Sequence, residues 1–184
     1  MKKEVKIRNL LIEKRGQYYL ISAIILGVLI IGIVAVSNYL ERGSSENINN
    51  LEEEIKIESA NVLDYSLNQG QNFESFHNTM LDFTQKYIEY YGSDMDIYFL
   101  FGSNSNMTLK GVQNVDKTIT LISGENSVGV TSEKGQFLGS INPSGEEISL
   151  EIEEIKYDFN LNTERNFNFV LAERVSGNEY IISG

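Results

Sequence analysis

The chain divides by pattern into one long apolar run and a longer region where apolar and polar positions alternate over short distances. From Gln17 to Leu40 none of the 24 residues is charged. As a helix, such a stretch rises about 36 Å at about 1.5 Å per residue, enough for a hydrocarbon core of about 30 Å. It predicts a transmembrane helix over 17–40, with Tyr18, Tyr19 and Tyr39 at the interfacial ends. Gly43-Ser44-Ser45 interrupts the pattern, so 41–46 reads as a linker. From Asn47 the period becomes helical. Ile48, Leu51, Ile55, Val62 and Leu63 fall near one stripe, with Glu52, Glu53, Glu54 and Glu58 off it. Gln69-Gly70-Gln71 ends this helix. A second begins after Asn72, carries Phe73, Phe76, Met80, Phe83 and Tyr87 on one face, and closes at Gly92. The aromatic stripe reads as core, and His77 beside it as a surface or satisfied histidine with no second ligand.

Beyond Gly92 the period shifts to strands. Ile97–Phe101 is continuously apolar, as a central strand would be. Met107–Val112 and Thr118–Ile122 follow, and Gly124-Glu125-Asn126 predicts a hairpin into Ser127–Thr131. Ile148, Leu150 and Ile152 alternate with polar residues. Ile155, Tyr157, Phe159 and Leu161 do so in the opposite phase, which places a bulge or turn at Glu153-Glu154. Phe167, Phe169 and Leu171 form the next strand, and Ser176–Glu179 turns into Tyr180-Ile181-Ile182. The expected fold class is α+β: an N-terminal transmembrane helix followed by two amphipathic helices packed on an antiparallel β-sheet or sandwich of six to eight strands.

Charge orients this arrangement. Residues 1–16 hold six basic and two acidic side chains, a net +4. The whole chain of 184 residues carries −11, which leaves −15 beyond the apolar run. The positive-inside rule then assigns 1–16 as a cytoplasmic basic leader, 17–40 as the span and 47–184 as an extracytoplasmic α+β domain. The topology is single-pass, at the cell membrane. An ordinary secretory signal fits less well, because the run exceeds the usual apolar core of about 7–15 residues and its exit lacks an A-x-A cleavage pattern.

Lys14-Arg15-Gly16-Gln17, placed just before the apolar run, resembles the class III (prepilin-type) signal of archaeal type IV pilin-like proteins. The resemblance covers roughly residues 14–40 and the layout of helix followed by a β-rich domain. It implies a prepilin peptidase as partner, cutting after Gly16 on the cytoplasmic side so that Gln17 becomes the first residue and the apolar helix is retained. Glycine, lacking a Cβ, can take the extended backbone a protease cleft needs. Many pilins carry a Glu five residues into the mature chain; Ile21 stands here instead. Self-association would then rest on apolar helix packing, for which Gly27 and Gly32 allow close approach.

Candidate chemistry is sparse. The absence of Cys excludes disulfides, thiolate catalysis and Cys-based metal sites, and a single His leaves no His cluster. The acidity argues against nucleic acid as a partner. No Walker loop, G-x-S-x-G, HExxH or G-x-G-x-x-G occurs. Asp94 and Asp96 form a D-x-D without the Gly and distal Glu of a calcium loop, and read as strand-edge solvation. Glu146, Glu147, Glu151, Glu153 and Glu154 read as a solvated face. Asn106-Met107-Thr108 is a glycosylation sequon, so Asn106 is a candidate modification site. The chain is therefore expected to be no enzyme and to need no cofactor or metal. The reading is a membrane-anchored, pilin-like surface protein with a structural or adhesive role. The alternative is an anchored ectodomain that binds a ligand or partner and does not polymerise.

Overall fold

The computed structural model describes residues 25–32, 48–162, 164–175 and 178–184. The chain forms two compact units, Met1–Gly43 and Ser44–Gly184. In the first, 25–32 is helical, and Ile25, Leu26, Val28, Leu29, Ile30 and Ile31 are each more than half exposed. No helix among the described residues is long and apolar enough to cross a membrane. Of the predicted span 17–40, only 25–32 lies within them.

The second unit is α+β. Helix α1 covers 48–68 and α2 covers Phe73–Tyr91. Gly70 takes φ +59° after α1, and the Asn72 side chain caps α2 by accepting from the Ser75 N–H at 2.8 Å. Gly92 closes α2 in an ordinary right-handed conformation, so its φ does not explain the glycine. A Cβ there would lie 2.4 Å from the Ile88 carbonyl oxygen and 2.7 Å from a methyl of Val112. The position requires a missing side chain.

Nine strands follow among the described residues, one more than the upper expectation: β1 Met95–Ser103, β2 Asn106–Gln113, β3 Ile119–Ser123, β4 Asn126–Thr131, β5 Gly135–Ile141, β6 Glu147–Ile152, β7 Ile155–Asn160, β8 Asn166–Val175 and β9 Asn178–Ser183. They make two antiparallel sheets, ordered β5-β2-β1-β8-β9 and β4-β3-β6-β7. β5 is the strand that periodicity did not predict. Glu153-Glu154 is a turn rather than a bulge, since Ile152 pairs with Ile155 across it.

The sheets and helices stack as three layers. Alternation along β1 assigns Ile97, Phe99 and Phe101 to one face and Tyr98 and Leu100 to the other, and all five are buried. The first set meets Ile48, Leu51 and Ile55 of α1 and Phe76, Met80 and Ile88 of α2. The second set meets Ile119, Leu121, Ile148 and Leu150 of the four-stranded sheet. A central strand covered on both faces needs no polar alternation, which is why β1 is continuously apolar. The helices are therefore held on one face only, and their outer surfaces remain available.

A tyrosine-lined cleft between the two helices

α1 and α2 meet the sheet along their apolar stripes, and their polar flanks diverge above it. Between those flanks lies an open cleft of about 740 Å³. α1 contributes Glu54, Glu58 and Val62, spaced four residues apart and so on one helix face. The opposite wall is α2, with Phe83, Tyr87 and Tyr91 at the same spacing and Tyr90 beside them. The Phe83 and Tyr87 rings lie 5.1 Å apart, Tyr87 and Tyr91 stack at 6.1 Å with planes 19° apart, and Tyr90 meets Tyr91 edge-on at 4.7 Å. Ring separations of this size are those at which aromatic pairs attract.

Tyr87 joins the core to the cleft. Its ring is buried against Phe99, with centroids 6.2 Å apart. Its hydroxyl donates to Glu58 Oε2 at 2.8 Å, with Glu54 Oε1 3.3 Å away. Burial, reinforced by these two carboxylates, pushes the phenol far above its ordinary range, and burial with Glu54 and Glu58 raises Tyr91 as well. Both rings thus stay neutral at ordinary pH, and the Tyr87 proton fixes the Glu58 carboxylate at the cleft wall. Asp82 and Lys86 complete the polar rim. The aromatic stripe expected as core is core at Phe76, Met80 and Tyr87, while Phe73 is exposed and Phe83 only partly buried. Tyr91 continues that stripe four residues beyond Tyr87 and is partly buried against the same core, while Tyr90 beside it is 76% exposed.

The other candidate positions are dispersed. Lys14, Arg15, Gly16 and Gln17 lie outside the described residues. Asn106 is exposed at the start of β2, opposite Ser103 in the β1–β2 hairpin, so its amide is accessible to a modifying enzyme while Met107 and Thr108 are buried in the sheet. His77 is half-buried, its ring 5.5 Å from that of Phe101 and its Nδ1 buried without a partner among the described residues. Asp94 is exposed, but Asp96 is not the solvated strand-edge residue expected from the D-x-D. It is 4% exposed, accepts from the Asn114 N–H at 2.7 Å, and pairs with Lys117 at 3.0 Å. Lys117 also reaches Glu179 at 2.7 Å. A second groove of about 760 Å³ runs past Asp116, Lys117, Glu153 and Glu154, but the Lys117 ammonium is turned inward. No group of three or more His, Cys, Asp or Glu that could hold a metal occurs among the described residues. Compared with protein-family models, curated sequences and solved structures, the chain matches none.

Proposed function

We propose that this chain is a single-pass, membrane-anchored surface protein of pilin-like organisation, with its N-terminus in the cytoplasm and residues 44–184 outside. The observation that carries the reading is the 24-residue uncharged run between flanks of +4 and −15. A helix that is apolar all round, as 25–32 is, suits lipid rather than water. The division of the chain at Gly43/Ser44 is compatible with an anchor followed by an ectodomain. Lys14-Arg15-Gly16-Gln17 supports prepilin-type processing, and Gly27 and Gly32 offer close helix approach for self-association. In this reading the role is structural or adhesive, and a glycan at Asn106 would stand on the outer domain.

The open cleft of the ectodomain favours a second reading: an anchored ligand-binding domain that never polymerises. Mass spectrometry of the mature N-terminus separates the two. Gln17 as first residue, abolished by Gly16→Val with a product 16 residues longer, supports the pilin-like reading. Met1 in the wild-type protein supports the uncut anchor. Recovery of the full chain in the soluble fraction would overturn both.

A further inference from the structure

We propose that the α1–α2 cleft binds a small organic ammonium ion, seated against tyrosine faces and neutralised by α1 carboxylates. The proposal is independent of membrane anchoring, because the cleft lies wholly within Ser44–Gly184.

Three features point to this ligand chemistry. First, the size suits a small molecule: about 740 Å³ falls within the roughly 300–1,000 Å³ of ligand pockets. Second, the wall is aromatic. Tyr90 is 76% exposed although it sits edge-on to Tyr91, and neither the sheet nor α1 covers it. The face of an aromatic ring carries a negative quadrupole that attracts cations. Third, the charge is complementary. Glu54 and Glu58 of α1 stand across the cleft from α2, whose side of the rim carries Asp82 and one cation, Lys86, and Lys86 forms no ion pair within 4 Å among the described residues.

The same features select against other ligands. A hard metal ion needs several converging oxygens. Here Tyr87 occupies Glu58 Oε2, and ring faces make up the opposite wall. An anion would meet three carboxylates. A neutral apolar ligand would leave those carboxylates desolvated without compensation. An ammonium carrying methyl or methylene groups satisfies both walls at once, covering the rings with weakly hydrated carbon and meeting the carboxylates with charge. A free ammonium compound and a lysine side chain presented by a protein share this chemistry, and the free compound is the occupant the cleft volume favours.

The test is isothermal titration calorimetry of the full-length chain in neutral detergent at low salt, with choline as probe. 3,3-Dimethyl-1-butanol serves as its uncharged isostere, and acetyl-lysine amide (acetylated at Nα, with the ε-ammonium free) represents a protein-borne cation. Choline should bind saturably and the isostere at least tenfold more weakly. Tyr90→Ala should weaken choline about two- to fivefold, the range for an exposed cation–π contact, and Glu58→Gln by up to about fivefold, the range for an exposed ion pair. Lys86→Met should tighten it by removing the resident positive charge. All three positions are exposed, and unchanged far-UV circular dichroism would verify that the variants fold. Tighter binding of acetyl-lysine amide than of choline would reassign the cleft to a protein partner and overturn the small-ligand proposal. Equal binding of choline and its isostere, identical binding by wild type and variants, or no saturable heat would overturn it altogether.

Discussion

Lys117 is the residue whose replacement should most clearly separate electrostatics from packing in this domain. Its side chain is 4% exposed, and its ammonium holds the Asp96 side chain, itself 5% exposed, at 3.0 Å and that of Glu179, 32% exposed, at 2.7 Å. Lys117→Met keeps most of the aliphatic stem and removes the charge. Glu179 can then turn to water, so its loss contributes little. Asp96 cannot: it retains the Asn114 N–H as a donor, yet its carboxylate stays buried without a counter-ion. Breaking one side of a buried pair costs about 3–5 kcal/mol. The surviving backbone hydrogen bond argues for the lower end, about 3 kcal/mol. For a unit of this size that is a fall in Tm of roughly 10 °C. Asp96→Asn removes the stranded charge while keeping an acceptor for Asn114, so the Asp96→Asn/Lys117→Met double variant should recover at least half the loss. Acid should narrow the gap slightly. Burial disfavours ionisation of Glu179, but the hydrogen bond and charge of Lys117, with Arg174 adding to them, hold its carboxyl below the ordinary 4.5. A carboxyl depressed in the folded state contributes stability that is complete above its unfolded pKa and is lost as pH falls through the folded value. The wild-type advantage over Lys117→Met should therefore shrink below roughly pH 4.5. Thermal melts of the full chain in neutral detergent, followed by near-UV circular dichroism of its tyrosines, would measure all four proteins of the cycle. A loss under about 1 kcal/mol with additive single effects would refute the reasoning, because stranded buried charges are expected to couple.

Glu153 holds φ +57° in the exposed β6–β7 turn, a conformation that Gly124 adopts at φ +58° in the β3–β4 turn. Glu153→Gly should therefore raise stability by about 0.5–1 kcal/mol, with Glu153→Asn as the charge control, measured by urea unfolding. Removal of residues 1–43 should leave a soluble protein with one cooperative melt; aggregation or a broad transition would show that α1 needs the preceding segment. If the chain self-associates as proposed, Gly27→Leu/Gly32→Leu should reduce the oligomers recovered in mild detergent, and unchanged oligomers on native electrophoresis would shift the contacts to residues 44–184.

Legibility in the sequence followed burial geometry. β1 was readable because both faces are covered, which leaves a run of apolar residues. α1 and α2 were readable because one face of each is buried, and their ends carry Gly70, Asn72 and Gly92. β5 was not. It lies at an edge, with Gln136, Leu138 and Ser140 exposed. Its Gly139 is required by a neighbour in the other sheet, since a Cβ there would lie 2.7 Å from a Val130 methyl. That constraint is tertiary and leaves no period. Asp96 was misread for a related reason: the cation that buries with it is 21 positions away and the second carboxylate 83 away. The cleft was half legible. Periodicity shows that Tyr87 points inward, but only the pairing of α1 with α2 brings its hydroxyl to Glu58 and leaves Tyr90 standing over the gap.

The pairing of β1 has a consequence for synthesis. Its neighbour on one side, β2, follows at once through a tight hairpin. On the other side Phe99 pairs with Phe169, seventy positions later. At roughly 5–20 residues per second, the central strand waits about 4–14 s with one edge open and its apolar faces unfinished. Such an edge is a template for pairing with another chain. Nearly the whole domain must therefore emerge before its most hydrophobic strand is sheltered, which places the hazard in biogenesis rather than in the finished fold and makes this domain a natural client for whatever holds nascent chains apart.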